Sequence, residues 1–328
     1  MYKKIILLGI LFFMLPFFHC MAQDEGPDTV STGIYITSIH DIDFRQREYT
    51  VNFWLWFNYK NPDFDFAKYL EIPQAKSMNT LYSAVDTMED GSLYVLLKLQ
   101  CVMKDSWKID DFPFNHQSLR LSIENSQYDK SMLVFAKDTV GEIYDRHALT
   151  GYGIDSTRGW HIDPDSVKIS IGTKAYETNF GDASLGAPHM MYSAFKVKIG
   201  INRDAWALFW KIFLGMYIAF LIAFVSSFIH LDHIEARFGL TVGALFAVVG
   251  NKYIIESSLP ESSLFTLVDW LHGLTLLFIF SIIVSTTIAL WMKKKSDFEI
   301  AKRIDTNVSL ILFIAFVISN VLLIYGAL

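Results

Sequence analysis

Four long apolar stretches dominate the last 124 residues of this chain, and a half built that way can fold only as a bundle of membrane-spanning helices. Residues 212–229, 270–292 and 306–328 carry no formal charge. Each is long enough to cross ~30 Å of hydrocarbon at about 1.5 Å per residue. The remaining stretch, 238–255, contains Asn251, Lys252 and three glycines. A span of mixed polarity turns one side to protein or water. With 52% hydrophobic and 19% charged residues overall, the chain is too apolar for a soluble enzyme, a disordered segment or a collagen-like fibre. Its net charge of −6 argues against a nucleic-acid-binding surface.

The rest of the chain reads as an exported domain. Lys3 and Lys4 precede an apolar run that ends near Cys20-Met21-Ala22, the pattern of a signal peptide over residues 1–22, with a lipid anchor on Cys20 as the rival reading. Residues 23–203 are strand-rich: 33–38, 49–59, 92–102, 118–123, 167–171 and 193–201 are dense in β-branched and aromatic residues. The turn-formers Asn61-Pro62-Asp63, Glu89-Asp90-Gly91 and Asp163-Pro164-Asp165 separate them. This is the spacing of an all-β, immunoglobulin-like sandwich. In the stretch 51–59, five consecutive apolar residues, Phe53 to Phe57, need cover on both faces, from a neighbouring subunit or from the chain's own loops. Residues 204–328 form the four-helix part. Lys293, Lys294, Lys295, Lys302 and Arg303 place the loop between the last two spans in the cytoplasm, which leaves both ends of the mature chain outside.

The mixed span has a pattern of its own. At about 100° per residue from Gly239, Gly243 falls near +40°, Phe246 −20°, Gly250 +20°, Tyr253 −40°, Ser257 0° and Glu235 −40°. Arg237 and Lys252 fall near 160° and −140°, away from this stripe, and Glu256 near −100° lies off it. A narrow stripe of small and polar residues suits a helix lining a water-filled hole. It equally suits a close-packing seam, because Gly239-x-x-x-Gly243 is also a helix-contact motif. Glu235 would form a cation-attracting ring at the inner mouth, and Phe246 a hydrophobic constriction. No Gly-x-Ser-x-Gly, P-loop, Rossmann or His-Glu-x-x-His pattern is present, so the residues nominate no enzyme, cofactor or metal site.

Several motifs in this order resemble the pentameric ligand-gated ion channels, the Cys-loop receptor superfamily, in particular its bacterial proton-gated type. Thr32-Gly33-Ile34-Tyr35, Asp41-Ile42-Asp43 and Tyr49-Thr50-Val51-Asn52 resemble the first two strands and the loop between them. Phe112-Pro113-Phe114-Asn115-His116-Gln117 is similar to the core of the signature loop. Glu235-Ala236-Arg237 through Glu256-Ser257-Ser258-Leu259-Pro260 matches the pore helix and the proline that follows it.

The resemblance implies a homopentamer in a bacterial inner membrane that passes monovalent cations. It implies opening by an extracellular stimulus, protons or a small ligand, with no cofactor. It places Glu235, Gly239, Gly243, Phe246, Gly250, Tyr253 and Ser257 along the pore. Asp43, Phe112, Pro113, Phe114, Arg203, Leu259 and Pro260 would form the coupling zone between domains, with Asp43 as partner of Arg203. Trp54, Tyr176 and Phe180 would contribute to ligand binding. Departures are visible too. Asp105 and Leu119 stand where animal receptors have the loop-closing cysteines, Asn115 replaces an aspartate, and Ser126 and Glu71-Ile72-Pro73 replace family aromatics. A non-conducting, membrane-anchored β-sandwich receptor is the competing reading.

Overall fold

The computed structural model describes residues 26–138, 159–162, 166–179, 181, 190–295 and 298–328. The expected signal segment, the turn at 163–165 and Phe180 lie outside them. Ten strands come first: β1 (Asp28–Asp43), β2 (Glu48–Tyr59), β3 (Leu70–Glu71), β4 (Ala75–Thr87), β5 (Leu93–Lys104), β6 (Gln117–Asn125), β7 (Leu133–Lys137), β8 (Trp160–Ile162), β9 (Lys168–Tyr176) and β10 (Met190–Arg203). A one-turn helix, α1 (Phe66–Tyr69), interrupts them, and four long helices follow: α2 (Ala205–Ser226), α3 (Ile234–Glu256), α4 (Leu267–Lys295) and α5 (Phe298–Ala327).

The strands form two sheets, β4-β5-β2-β1-β7 and β3-β6-β10-β8, with β9 paired to β10. Alternation drives this arrangement. In β5, Val95, Leu97, Leu99, Cys101 and Met103 are buried on one face. They meet Phe53, Leu55 and Phe57 of β2 and Leu119, Leu121 and Ile123 of β6 in one core between the sheets. Burial of each such side chain contributes about 1.5–3 kcal/mol. The apolar run in β2 finds cover on its second face within the chain. Trp56 donates to Asp138 at 2.8 Å and lies across Gly33, where an added Cβ would come within 2.2 Å of the indole. Trp54 packs edge-on to Tyr82 at 5.7 Å, beneath the Lys98 ammonium at 5.2 Å.

Strand β4 is absent from the sequence reading because its pattern is polar. It forms the edge of its sheet and exposes Met78, Leu81, Tyr82 and Val85.

All four long helices are long and apolar enough to cross a membrane. Asp204 caps α2, its carboxylate accepting from the Ala207 N–H at 3.3 Å. At the start of α4, Thr266 and Asp269 satisfy each other's backbone N–H groups. The bundle closes through Phe220 stacked on Phe316 and a Tyr217 hydroxyl bonded to Asn320 at 3.2 Å, which tie α5 to α2.

Candidate functional site

Helix α3 has two faces that differ in kind. Its buried residues are Arg237, Thr241, Ala244, Val248 and Ile255. On the projection used above they cluster between about 140° and 200°. The opposite arc carries every residue of the expected stripe: Glu235, Gly239, Gly243, Phe246, Gly250, Tyr253 and Ser257 are all exposed, Phe246 to 68% and Tyr253 to 74%. A Cβ built on Gly239, Gly243 or Gly250 meets nothing within 4 Å. The glycines are therefore not a seam between helices of one chain. That removes the intrachain form of the packing explanation.

The buried face is held by polar groups whose role the sequence reading did not identify. Arg237, only 1% exposed, donates to the Ser226 and Ser227 carbonyls at 3.1 and 2.6 Å and pairs with Asp305 of α5. Ser285 of α4 donates to the same carboxylate at 3.2 Å. Near the other end, Lys252 bridges Glu256 at 3.1 Å and Asp269 at 3.0 Å. Asn251 donates to the Ile212 carbonyl of α2 at 3.1 Å. The two polar residues that made this span look poor are thus its attachments to neighbouring helices. A polar partner in hydrocarbon has no water to compete with it.

At the junction of the two domains, most of the expected coupling residues come together. Phe112 and Phe114 leave the β-domain and join the helix core, Phe114 packing 5.0 Å from Trp206 and 5.5 Å from Phe209. Pro113 lies between them, joined to Phe112 by a cis peptide bond. The Leu267 N–H donates to Asp110 O at 2.8 Å, and Arg47, in the β1–β2 turn, donates to Glu261 O at 2.9 Å. Leu259 and Pro260 are buried beside these contacts.

Asp43 and Arg203 line one cavity of about 440 Å³ with Phe44, Trp160, Ile255 and Leu259. Each has contacts of its own there. Asp43 accepts from the Gln46 N–H at 2.9 Å, and the Arg203 guanidinium lies 4.9 Å from the Trp160 ring centre and 5.9 Å from that of Phe44. The arginine is thus seated on aromatic rings.

The loop 105–116 has a closure of its own. Asp105 accepts from the Arg120 backbone N–H at 3.0 Å and from its guanidinium Nε at 3.1 Å and Nη2 at 2.5 Å. Asp105 raises the Arg120 pKa through this ion pair. The Gln117 side chain takes both backbone groups of Lys108, fixing the loop from inside.

On the outer domain, Tyr176 sits in an acidic aromatic cluster. Its hydroxyl donates to the buried Glu124 at 2.9 Å, Ser122 donates to the other oxygen at 3.0 Å, and Tyr192 packs edge-on at 5.7 Å. Glu71 stands opposite Glu124 across the β3–β6 pair. Loss of solvent, and then the neighbouring Glu124 charge, raise the Glu71 pKa above the usual carboxylate value. Burial likewise raises the Tyr176 and Tyr192 hydroxyls. Such a site favours a proton or a bound cation. Glu124 and Tyr192 escaped the sequence reading, and Glu71 entered it only as a departure from a family aromatic, because these residues are far apart along the chain and meet only when β3, β6, β9 and β10 assemble. Trp54 lies in a separate cluster on the other sheet, with Tyr82 and Lys98. No protein-family model matches this chain, and comparison with curated proteins finds no match either.

Proposed function

We propose that the chain assembles into a closed ring, five-fold by the resemblance of its motifs, in which α3 lines a cation-conducting pore opened by a stimulus on the outer β-domain. The observation that carries this reading is the division of α3. One face is locked into the chain through Arg237, Thr241, Ala244 and Val248, while the other presents Glu235, three unpartnered glycines, Phe246 and Tyr253 to open space. A helix in a membrane does not leave a carboxylate facing lipid without cost, and a shared aqueous axis removes that cost. Five Glu235 carboxylates at one mouth would draw Na⁺ and K⁺ and exclude Cl⁻, with Phe246 as the constriction. The contacts of Phe112, Phe114 and Arg47 with the helix domain supply the path by which the sandwich moves the pore. The Glu71–Glu124–Tyr176–Tyr192 cluster is the candidate sensor, for protons or a small cation.

The test is a planar bilayer recording of the reconstituted protein under a NaCl gradient. The reversal potential should lie toward the Na⁺ equilibrium value, and Glu235→Ala should lower cation conductance or preference while the ring persists in native mass spectrometry. A reversal potential at the chloride value would remove Glu235 from the pore. Rings that stay silent at every stimulus would support a non-conducting receptor instead.

A further inference from the structure

His272, on α4, is 0% exposed and contributes nothing to the stripe, the junction or the outer cluster. Its Nδ1 lies 2.8 Å from the Val268 carbonyl oxygen, and its Nε2 lies 2.9 Å from the Asn251 side-chain oxygen on α3. The Asn251 amide nitrogen is in turn 3.1 Å from the Ile212 carbonyl of α2. One short chain of polar groups thus joins three helices.

The donor count of this chain decides its chemistry. A neutral imidazole donates from one ring nitrogen only, and both of its nitrogens here face oxygen acceptors. If the proton sits on Nε2, the Nδ1 lone pair opposes the Val268 oxygen. If it sits on Nδ1, the Nε2 lone pair opposes the Asn251 oxygen. Turning the amide over lets its nitrogen donate to Nε2, but then its oxygen opposes the Ile212 oxygen. Every neutral arrangement leaves one pair of lone pairs face to face. The imidazolium donates from both nitrogens and satisfies all three contacts.

We propose that His272 is a proton-coupled latch on α3: binding a proton fastens the Asn251 end of that helix to α2 and α4, and losing the proton frees it. The charged groups around the ring are few. Helix α3 presents Lys252 and Glu256, and α4 itself presents Asp269, the lysine bridging the two carboxylates. Helix α2 presents the Phe213 ring, 5.6 Å away, and the Ile212 carbonyl, while its Lys211 is exposed. One cation against two carboxylates gives a local formal charge of −1. The inference concerns contacts within one chain and does not depend on ion conduction.

Solution or solid-state NMR of the full chain in nanodiscs, with ¹⁵N-labelled histidine and asparagine, tests it from about pH 4 to about pH 9, the range over which histidine titrates. His272→Gln assigns the ring by loss of its signals, and Asn251→Ala assigns it by displacement should the first variant fail to fold. The His272 ring should pass from two protonated nitrogens to one, and the Asn251 side-chain amide should shift with the same midpoint. Asn251→Ala should weaken proton binding at the ring by about tenfold or more, the worth of one hydrogen bond to a charged group. A ring that keeps a single protonated nitrogen throughout, or one that titrates while the Asn251 amide stays still, overturns the proposal.

Discussion

Single residues in the outer domain make close contacts and charge pairs that can be tested one at a time. Gly33 lets the Trp56 indole lie flat across β1, so Gly33→Ala must displace the ring and break its bond to Asp138. Overpacking of this kind costs about 1–3 kcal/mol, and we expect a lower Tm and a shifted Trp fluorescence maximum in detergent. Asp105→Ala removes three acceptor contacts from Arg120. Because Arg120 is itself half in solvent, we expect a loss of about 1–2 kcal/mol, smaller in high salt, measured by chemical denaturation at two ionic strengths. Glu71 gives a pH dependence. The folded chain holds its proton more tightly than the unfolded chain, so its contribution to stability is complete below the unfolded value and is lost as pH rises through the folded one. Glu124→Gln removes the second of its two causes, and the Glu71 titration followed by NMR should then move part of the way down toward the ordinary glutamate value.

Among the elements, α3 is the one whose two sides must be read separately. Arg237 is two positions from Glu235 yet buried against Asp305, so its removal is not a mild charge change. Arg237→Ala leaves the Asp305 carboxylate buried and unpaired, and breaking one side of such a pair costs about 3–5 kcal/mol. We expect little assembled protein from Arg237→Ala and a substantial recovery from the double variant Arg237→Met, Asp305→Leu, read by size-exclusion chromatography in detergent. Glu235→Ala, on the exposed side, should leave the same elution profile unchanged. If the single arginine variant assembled normally, α3 would not be held by this pair.

For the molecule as a whole, the proposed function makes two surfaces testable: the subunit contact of the proposed ring and the junction of the two domains. Strand β4 offers an unpaired edge with Leu81 and Val85 exposed, and an exposed apolar edge is a pairing or docking surface. We expect Leu81→Glu with Val85→Glu to shift native mass spectra from rings toward monomers while the circular dichroism stays the same. An unchanged ring would place the subunit contact elsewhere. At the junction, Phe114 spans from the loop 105–116 to Trp206 and Phe209 of α2. Phe114→Ala should cost about 3–5 kcal/mol in stability and weaken the coupling of outer-domain stimulus to current, measured as the dose–response of the reconstituted protein.

The architecture was legible because it rests on local rules. Three spans follow from runs of uncharged residues and the fourth from a glycine-bearing apolar stretch, most strands follow from β-branched and aromatic stretches between turn-formers, and the exposed arc of α3 follows from a period of about 3.6 residues. Strand β4 was hidden for the same reason: an edge strand exposed on both faces has no apolar alternation to display. The fate of the polar residues in the spans was hidden for a different one. Nothing near Arg237 in the chain announces Asp305, and nothing near Asn251 announces His272 or the Ile212 carbonyl, because these partners are tens of residues away and meet only when the helices pack. Likewise nothing along the chain announces that Glu71, Glu124, Tyr176 and Tyr192 form one cluster. Periodicity is a property of one element and can be read along it, whereas a hydrogen bond between elements exists only once both have been placed.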